Sequence, residues 1–512
     1  MSSGHVQDAP SAVQVATIAI IGMGFAGTWQ EIALIDASNR DLCIYEIEAH
    51  EHRRHGGIAF GECNDRHQVN LPPERQFGLA EDWHDYLNWL NSTDRSVWPE
   101  PYRSSVGSRY FTPGSGEYPR MLFRLYSTER LRQAKERAAL AGRNMVYIPI
   151  DDEAVAVDES GARAVITLAS GATIDADAWV AATGHGAPTI PGFMQDVAES
   201  ERVVMNPWSK EAMGRMAARD QSESIFYVGT GMTTYDLIIL SEVQGHRGEC
   251  VMMSRNGELH HVYEEGFVFE AATLDAPEAL AHATTADELL HGIPGTCIGA
   301  IEEYQQLTAP LHEGGRALLS EQVLSAWEKY IPVLVERLPH AELVNLFKRK
   351  TVLNTRRIGI APEVGNALQR ARARGLATWK GSIYGMREAD DGIYIDLTHE
   401  DDPQGRHEER FDRVYCGLGM SNDFGWISEQ NPFWENVIQA NQMTTPHPFG
   451  GVYAEPGGKL PGARAGYATG MPLSGTRLQK GWAPTISGVV VSIRDDLTQI
   501  ADRILADLEA TG

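Results

Sequence analysis

The sequence predicts an α/β protein built from two Rossmann-like dinucleotide-binding units, the first of them discontinuous, with a helical insertion in the second. Three observations predict it. A strand–glycine–helix–strand signature opens the chain at IAIIGMGFAG; a second follows at YVGTGMTTYD; and an apolar strand ending in Ala-Thr-Gly lies between them. At 512 residues the chain exceeds one ordinary core. The expected division is 1–205 for the first part of the first unit, 206–400 for the second unit and 401–512 for the return to the first.

Val15–Ile21 reads as a buried strand, Phe25–Asp36 as the helix behind the glycines, and Leu42–Glu46 as the next strand. Gly22, Gly24 and Gly27 fit GxGxxG. The first glycine permits the tight turn, the second lets main chain approach a diphosphate, and the third lets helix and strand pack closely. Free N–H groups at the helix start then receive the diphosphate. Glu46 stands where an acid accepts from a ribose hydroxyl pair, which favours FAD or NAD over NADP at this first site.

Gly56–Pro73, rich in Gly, Pro, Asn and His, reads as a ligand-facing loop. Helices are expected at Asp82–Asn91 and Ser127–Ala141, and a three-stranded meander over Met145–Ile174. Ala178–Ala182 is a buried strand that delivers Thr183 and Gly184, small residues suited to main chain passing close to a dinucleotide.

The second signature has strands at Ile225–Val228 and Cys250–Ser254. Gly229 and Gly231 form its turn, but Thr234 stands at the third glycine, so a slightly looser helix contact is expected, with Thr233 and Thr234 as helix caps. Arg255 follows the second strand where an acid would select NAD; its planar fork suits a 2′-phosphate, hence NADPH. Ala271–Leu346 is patterned as the helical insertion, Ile383–Leu397 as strand, and Val414–Tyr415 as a strand leading to Gly417-Leu418-Gly419. Thr485–Leu508 reads as the closing helix.

The net charge of −25 disfavours nucleic acid and anionic membranes as partners. Five scattered cysteines without CxxC exclude a dithiol redox pair and suggest reduced, cytoplasmic thiols. No apolar run approaches the ~20 residues of a membrane span, and no secretion signal is visible. The histidines His185, His246, His260 and His261 lack metal-ligand spacing, so no metal is expected. No GxSxG elbow marks a hydrolase.

Taken together, IIGMGFAG, HGGIAFG, HQVNLPP, DYLNWL, RYFTPGSGEYPRML, AATGHGAPTIPG, VGTGMTTYD, GHRGECVMMSRNGELHH and NTRRIGIAPEVGNAL resemble a bacterial FAD/NAD(P)-binding oxidoreductase family related to flavin-dependent N-hydroxylating monooxygenases. The resemblance implies FAD in the first unit and NADPH in the second. It implies that Gly57, within His55–Gly61, lines the flavin pocket, that Gln68 and Asn70 serve the reaction beside the flavin ring, and that Gly470 belongs to a terminal flavin-contacting segment. Departures occur after His261 and at Glu258-Leu259, where the family has an apolar-Pro pattern.

The chemistry so implied is monooxygenation: O2 adds to reduced flavin to give a C4a-hydroperoxide that N-hydroxylates a small amine or amino acid. The FxGxxxHxxxW fingerprint of Baeyer–Villiger enzymes and the WxWxIP feature of flavin halogenases are missing. Two alternatives stay open, an NAD(P)H oxidase or reductase without oxygen insertion and a non-catalytic redox-sensing flavoprotein docking through 271–346. Whether the chain forms a homo-oligomer is left open too.

Overall fold

The computed structural model describes residues 15–63, 67–69, 84–100, 102–106, 118–257, 259–260, 262, 285, 339, 341–342, 360, 362–475 and 489–511. The expected insertion at 271–346 therefore lies almost wholly outside the described residues.

In chain order the first elements are β1 (Ala16–Ile21), α1 (Phe25–Ala37), β2 (Leu42–Ile47), α2 (Gly57–Gly61), α3 (Asp85–Ser92), α4 (Tyr102–Val106) and α5 (Arg120–Leu140). Five strands follow: β3 (Val146–Ile150), β4 (Ala154–Asp158), β5 (Ala164–Leu168), β6 (Thr173–Ala176) and β7 (Ala178–Ala181). The second half contains β8 (Val203–Val204), α6 (Lys210–Ala218), β9 (Ile225–Val228), α7 (Met232–Val243), β10 (Cys250–Ser254) and α8 (Pro362–Ala373). It continues with β11 (Ala377–Lys380), β12 (Ile383–Ala389), β13 (Gly392–His399), β14 (Asp402–Phe411), β15 (Arg413–Cys416), α9 (Phe424–Gln430), β16 (Gly466–Ala468) and α10 (Val489–Thr511).

These strands form two parallel five-stranded sheets of matching design, ordered β16-β7-β1-β2-β3 and β11-β10-β9-β15-β8. In each, the strand before the glycine turn is central. The chain goes to one side through the next two strands and returns to the other. That reversal leaves a crevice at the carboxyl ends of the two central strands, where α/β sheets bind ligands. The two crevices fall between β1 and β7 and between β9 and β15.

The second sheet draws in Val203–Val204 and Arg413–Cys416, so it reaches past both expected boundaries, 205 and 401. The expected meander also divides differently. Val146–Ile150 pairs parallel with β2, and the antiparallel meander is β4-β5-β6 alone. Alternation along the sequence could not separate the two, because β3 is itself only half-buried at the sheet edge.

Helix α1 is fixed from both sides. The Trp29 indole donates to Ser127 Oγ of α5 at 3.1 Å, and the Gln30 amide donates to the Leu497 carbonyl of α10 at 3.1 Å. Between α3 and α5, the rings of Tyr86 and Trp89 pack against those of Phe123 and Tyr126. They belong to the apolar core that holds the first sheet.

Gly22 has φ of +95°, and a Cβ there would lie 2.6 Å from the Ala182 carbonyl oxygen. A Cβ on Gly27 would lie 2.0 Å from the Gly22 oxygen. Main chain occupies the space that side chains would need. Gly27→Ala is expected to destabilise the protein by about 2–4 kcal/mol. Gly214→Ala, in α6 with open space around it, should be neutral or stabilise by up to about 1 kcal/mol. Urea unfolding of the two variants checks the contrast.

Candidate functional site

A cleft of about 470 Å³ opens where β1 and β7 end, a size typical of small-molecule sites. Of the residues expected at the first site, Gly22, Gly24, Gly57, Thr183, Gly184 and Gly470 all border it. They come from four separate stretches of chain, and the strand order brings them together. A Cβ on Gly24 would stand 3.0 Å from the Gly57 Cα, and one on Gly470 2.7 Å from the Ala26 Cβ. The cleft floor is thus bare main chain meeting bare main chain at Gly24 and Gly57, and bare main chain meeting the Ala26 methyl at Gly470. Helix α1 starts there, and its N-cap, Gly24, places no side chain over the first turn. Such a cradle fits the diphosphate of a dinucleotide. Gly27 lies behind it, in the helix–strand contact.

Glu46 is not at the cleft. Strand β2 runs to Ile47, and the first residue beyond it, Glu48, borders the cleft instead. Glu48 Oε2 accepts from Met23 N at 3.0 Å and Oε1 from His50 N at 3.2 Å, so this acid braces the glycine turn itself. Burial raises its pKa above the ordinary carboxylate value. The repeat Glu46-Ile47-Glu48 offered both acids; the expectation stopped the strand one residue short.

The Glu46 side chain instead points to α5, where Lys135 Nζ lies 2.5 Å from its Oε1 and 3.0 Å from Glu31 Oε1. Two buried carboxyls thus share one ammonium. Burial, then the Glu46 charge, pushes Glu31 up to about 8, while Lys135 and a hydrogen bond from Glu31 hold Glu46 below its usual value despite its burial. Nearby, burial depresses His55 to about 4, so its ring is neutral at physiological pH; its Nδ1 lies 3.2 Å from Thr28 Oγ1.

One wall of the cleft escaped the sequence reading. Phe424, Trp426, Phe433 and Trp434 border it, and the Trp434 indole donates to Thr183 Oγ1 at 3.0 Å. Asp423 and Asn431 cap the two short helical turns that present these rings. The density of aromatic residues in FGWISEQNPFW was the available signal.

Gln68 does not border the cleft. Its main chain bridges to Pro119, and its carbonyl accepts from Arg120 Nε at 2.8 Å. Asn70 lies outside the described residues.

At the second crevice, Gly229 has φ of +105° and Gly231 caps α7 without help from a side chain. The expected capping by Thr233 and Thr234 is therefore replaced by another arrangement. Buried Thr234 donates to the Gly229 carbonyl at 2.9 Å and closes the turn from within. A Cβ on Gly417 would lie 2.0 Å from that hydroxyl, so the contact is tight, not loose. Thr233 faces Gly419. Past β10, Thr230 Oγ1 donates to Ser254 Oγ at 2.9 Å, and Ser254 Oγ accepts from Gly257 N at 3.0 Å. This turn leaves Arg255 exposed.

Residues 19–186, which run from β1 past β7, match the model of a family described as FAD-NAD(P)-binding. The whole fold of the chain is similar to that of flavin-dependent N-hydroxylating monooxygenases. An L-lysine 6-monooxygenase from Pseudomonas syringae superposes with a TM-score of 0.58 at 14% identity, over 97% of this chain and 100% of that one. The reduced ornithine hydroxylase of Pseudomonas aeruginosa gives 0.57 at 14%, over 96% and 100%. An ornithine N-hydroxylase from Kutzneria sp. 744, whose structure holds reduced FAD, NADP+ and L-ornithine, gives 0.53 at 14%, over 96% and 99%. No curated protein sequence matches the chain. Among the described residues no helix is long and apolar enough to cross a membrane, and no three potential metal ligands converge.

Because Glu31 keeps its proton in the folded state up to about 8 against 4.5 ordinarily, the folded chain binds the extra proton between those values. Stability from this group is greatest below pH 4.5 and falls as pH rises to about 8. Glu31→Gln cannot ionise, so its thermal midpoint should fall less than that of the wild type across this interval, as scanning calorimetry at several pH values would read.

Proposed function

We propose that the protein is an FAD-dependent, NADPH-consuming monooxygenase that N-hydroxylates a small amine or amino acid. The reading is carried by one observation: two glycine turns stand at the switch points of two parallel sheets, one beneath a roomy cleft and one beside an exposed arginine. A protein with two dinucleotide sites of different character is suited to pass electrons from one to the other.

In this reading the first cleft holds FAD. The start of α1 and the Gly24–Gly57 floor receive the diphosphate, Glu48 accepts from the ribose hydroxyls, and Gly470 meets the flavin end. The Trp434–Thr183 hydrogen bond keeps the aromatic wall in place. The second turn holds NADPH, with Arg255 paired to its 2′-phosphate. Bound FAD supplies a two-electron acceptor for NADPH that reacts, once reduced, with O2. The overall balance is amine, NADPH, O2 and a proton going to hydroxylamine, NADP+ and water. The protein's part is to hold the two nucleotides in line and keep water from the reduced ring. Gln68 and Asn70 remain proposed for the region beside the ring, and the cell compartment proposed is the cytoplasm.

A screen of amines and amino acids, scored by coupled NADPH consumption and a product heavier by one oxygen atom, tests the reading. Turnover that yields only peroxide with every substrate would defeat it.

Three substitutions test the assignments separately. Glu48→Gln should weaken FAD binding roughly 10- to 100-fold, the weight of a charged hydrogen bond. Glu46→Gln should leave FAD affinity unchanged, because its side chain serves Lys135. Fluorescence titration of flavin-free protein decides between them. Arg255→Ala should raise the Michaelis constant for NADPH about 10-fold or more while leaving that for NADH nearly unchanged. Equal effects would mean that the 2′-phosphate is read elsewhere.

A further inference from the structure

Among the described residues, the apolar side chains behind the first sheet and those around α7 belong to separate clusters. Between them lies a buried ion pair. Arg120 Nη2, at the start of α5, is 2.8 Å from Asp236 Oδ2 in α7, with the side chains 10% and 7% exposed. Among the described residues it is the one ion pair that joins these two units. The same guanidinium donates through Nε to the Gln68 carbonyl at 2.8 Å and lies 5.8 Å from the ring of Trp208. The His67 ring meets Trp208 edge-on at 5.4 Å. Asp236 sits in the second turn of the helix that begins at Gly231.

We infer that Arg120 and Asp236 are positioning residues, locking the helix of the second dinucleotide turn against the segment that carries Gln68. The inference rests on the reading of the two sites as FAD and NADPH sites, since it concerns how the second is aligned with the first. A buried ion pair adds little net stability compared with apolar packing, yet removing one partner strands a charge. Its use is therefore registry. A small rotation that kept the interface dry would separate the charges at high cost. A large opening would hydrate both together. Two discrete arrangements result, one paired and one open, with no stable intermediate angles. The paired state sets the distance over which a hydride must pass, and displacement of about 1 Å can slow such a step roughly 100-fold.

The test uses the full chain with nitroxides at Leu140→Cys and Val243→Cys, both exposed and at the far ends of α5 and α7, with Cys250 and Cys297 replaced by serine. Arg120→Gln and Asp236→Asn should each broaden a narrow inter-label distance. Each should slow flavin reduction by saturating NADPH roughly 10- to 100-fold, with FAD content and reduction by dithionite unchanged. The double variant should be no worse than either single variant, because the two residues act through each other. Arg120→Lys, which keeps a cation for Asp236, should retain the narrow distance. Unaltered distances and reduction rates in the single variants, or additive effects in the double variant, overturn the inference. If NADPH fails to reduce even the wild type, the functional reading fails, while the distance measurements still decide whether the pair sets the angle.

Discussion

The contact of main chain with main chain at the end of β1 governs the rest of the molecule. Gly22 turns against the Ala182 carbonyl and Gly27 closes on the Gly22 oxygen, with no room for a Cβ at either place. This brings α1 close to the sheet and aims its first turn along the crevice between β1 and β7. Without that approach the carboxyl end of β7 would stand away from α1, and Thr183, Gly184 and Gly470 would not share a cleft with Gly24 and Gly57. The second unit meets the same constraint by different means. There Thr234 ties its hydroxyl to the Gly229 carbonyl, and Gly417 makes room for it.

The two sheets also show how one long chain makes a site from distant pieces. The first sheet is begun by β1 and completed by β16, roughly the whole length of the chain later. The interposed segment forms the second sheet and returns. The aromatic wall of the cleft lies just after that return, so the part of the chain that follows the second sheet finishes the first site.

Most of the architecture could be read because local rules and the global fold agree. IAIIGMGFAG and YVGTGMTTYD announce strand, turn and helix through residues that act on their neighbours, and both units form as expected. Contacts made across long separations were harder to see. Glu46 and Glu48 are two residues apart and alike in chemistry; only the pairing of β2 with β3 and the approach of Lys135 from α5 separate their fates. Thr234 looked like a capping residue because its tie to Gly229 depends on main-chain geometry. The aromatic wall was overlooked because FGWISEQNPFW carries no glycine signature, although its rings face the cleft directly.

The central claim is that the bare main chain around Gly24 receives a flavin dinucleotide. Titrating the purified, flavin-free protein with FAD, alongside a Gly24→Val variant, measures this most directly. The account predicts one FAD bound per chain for the wild type and none for a Gly24→Val protein that still unfolds cooperatively. Equal FAD uptake by both proteins, or no uptake by the wild type, would contradict it.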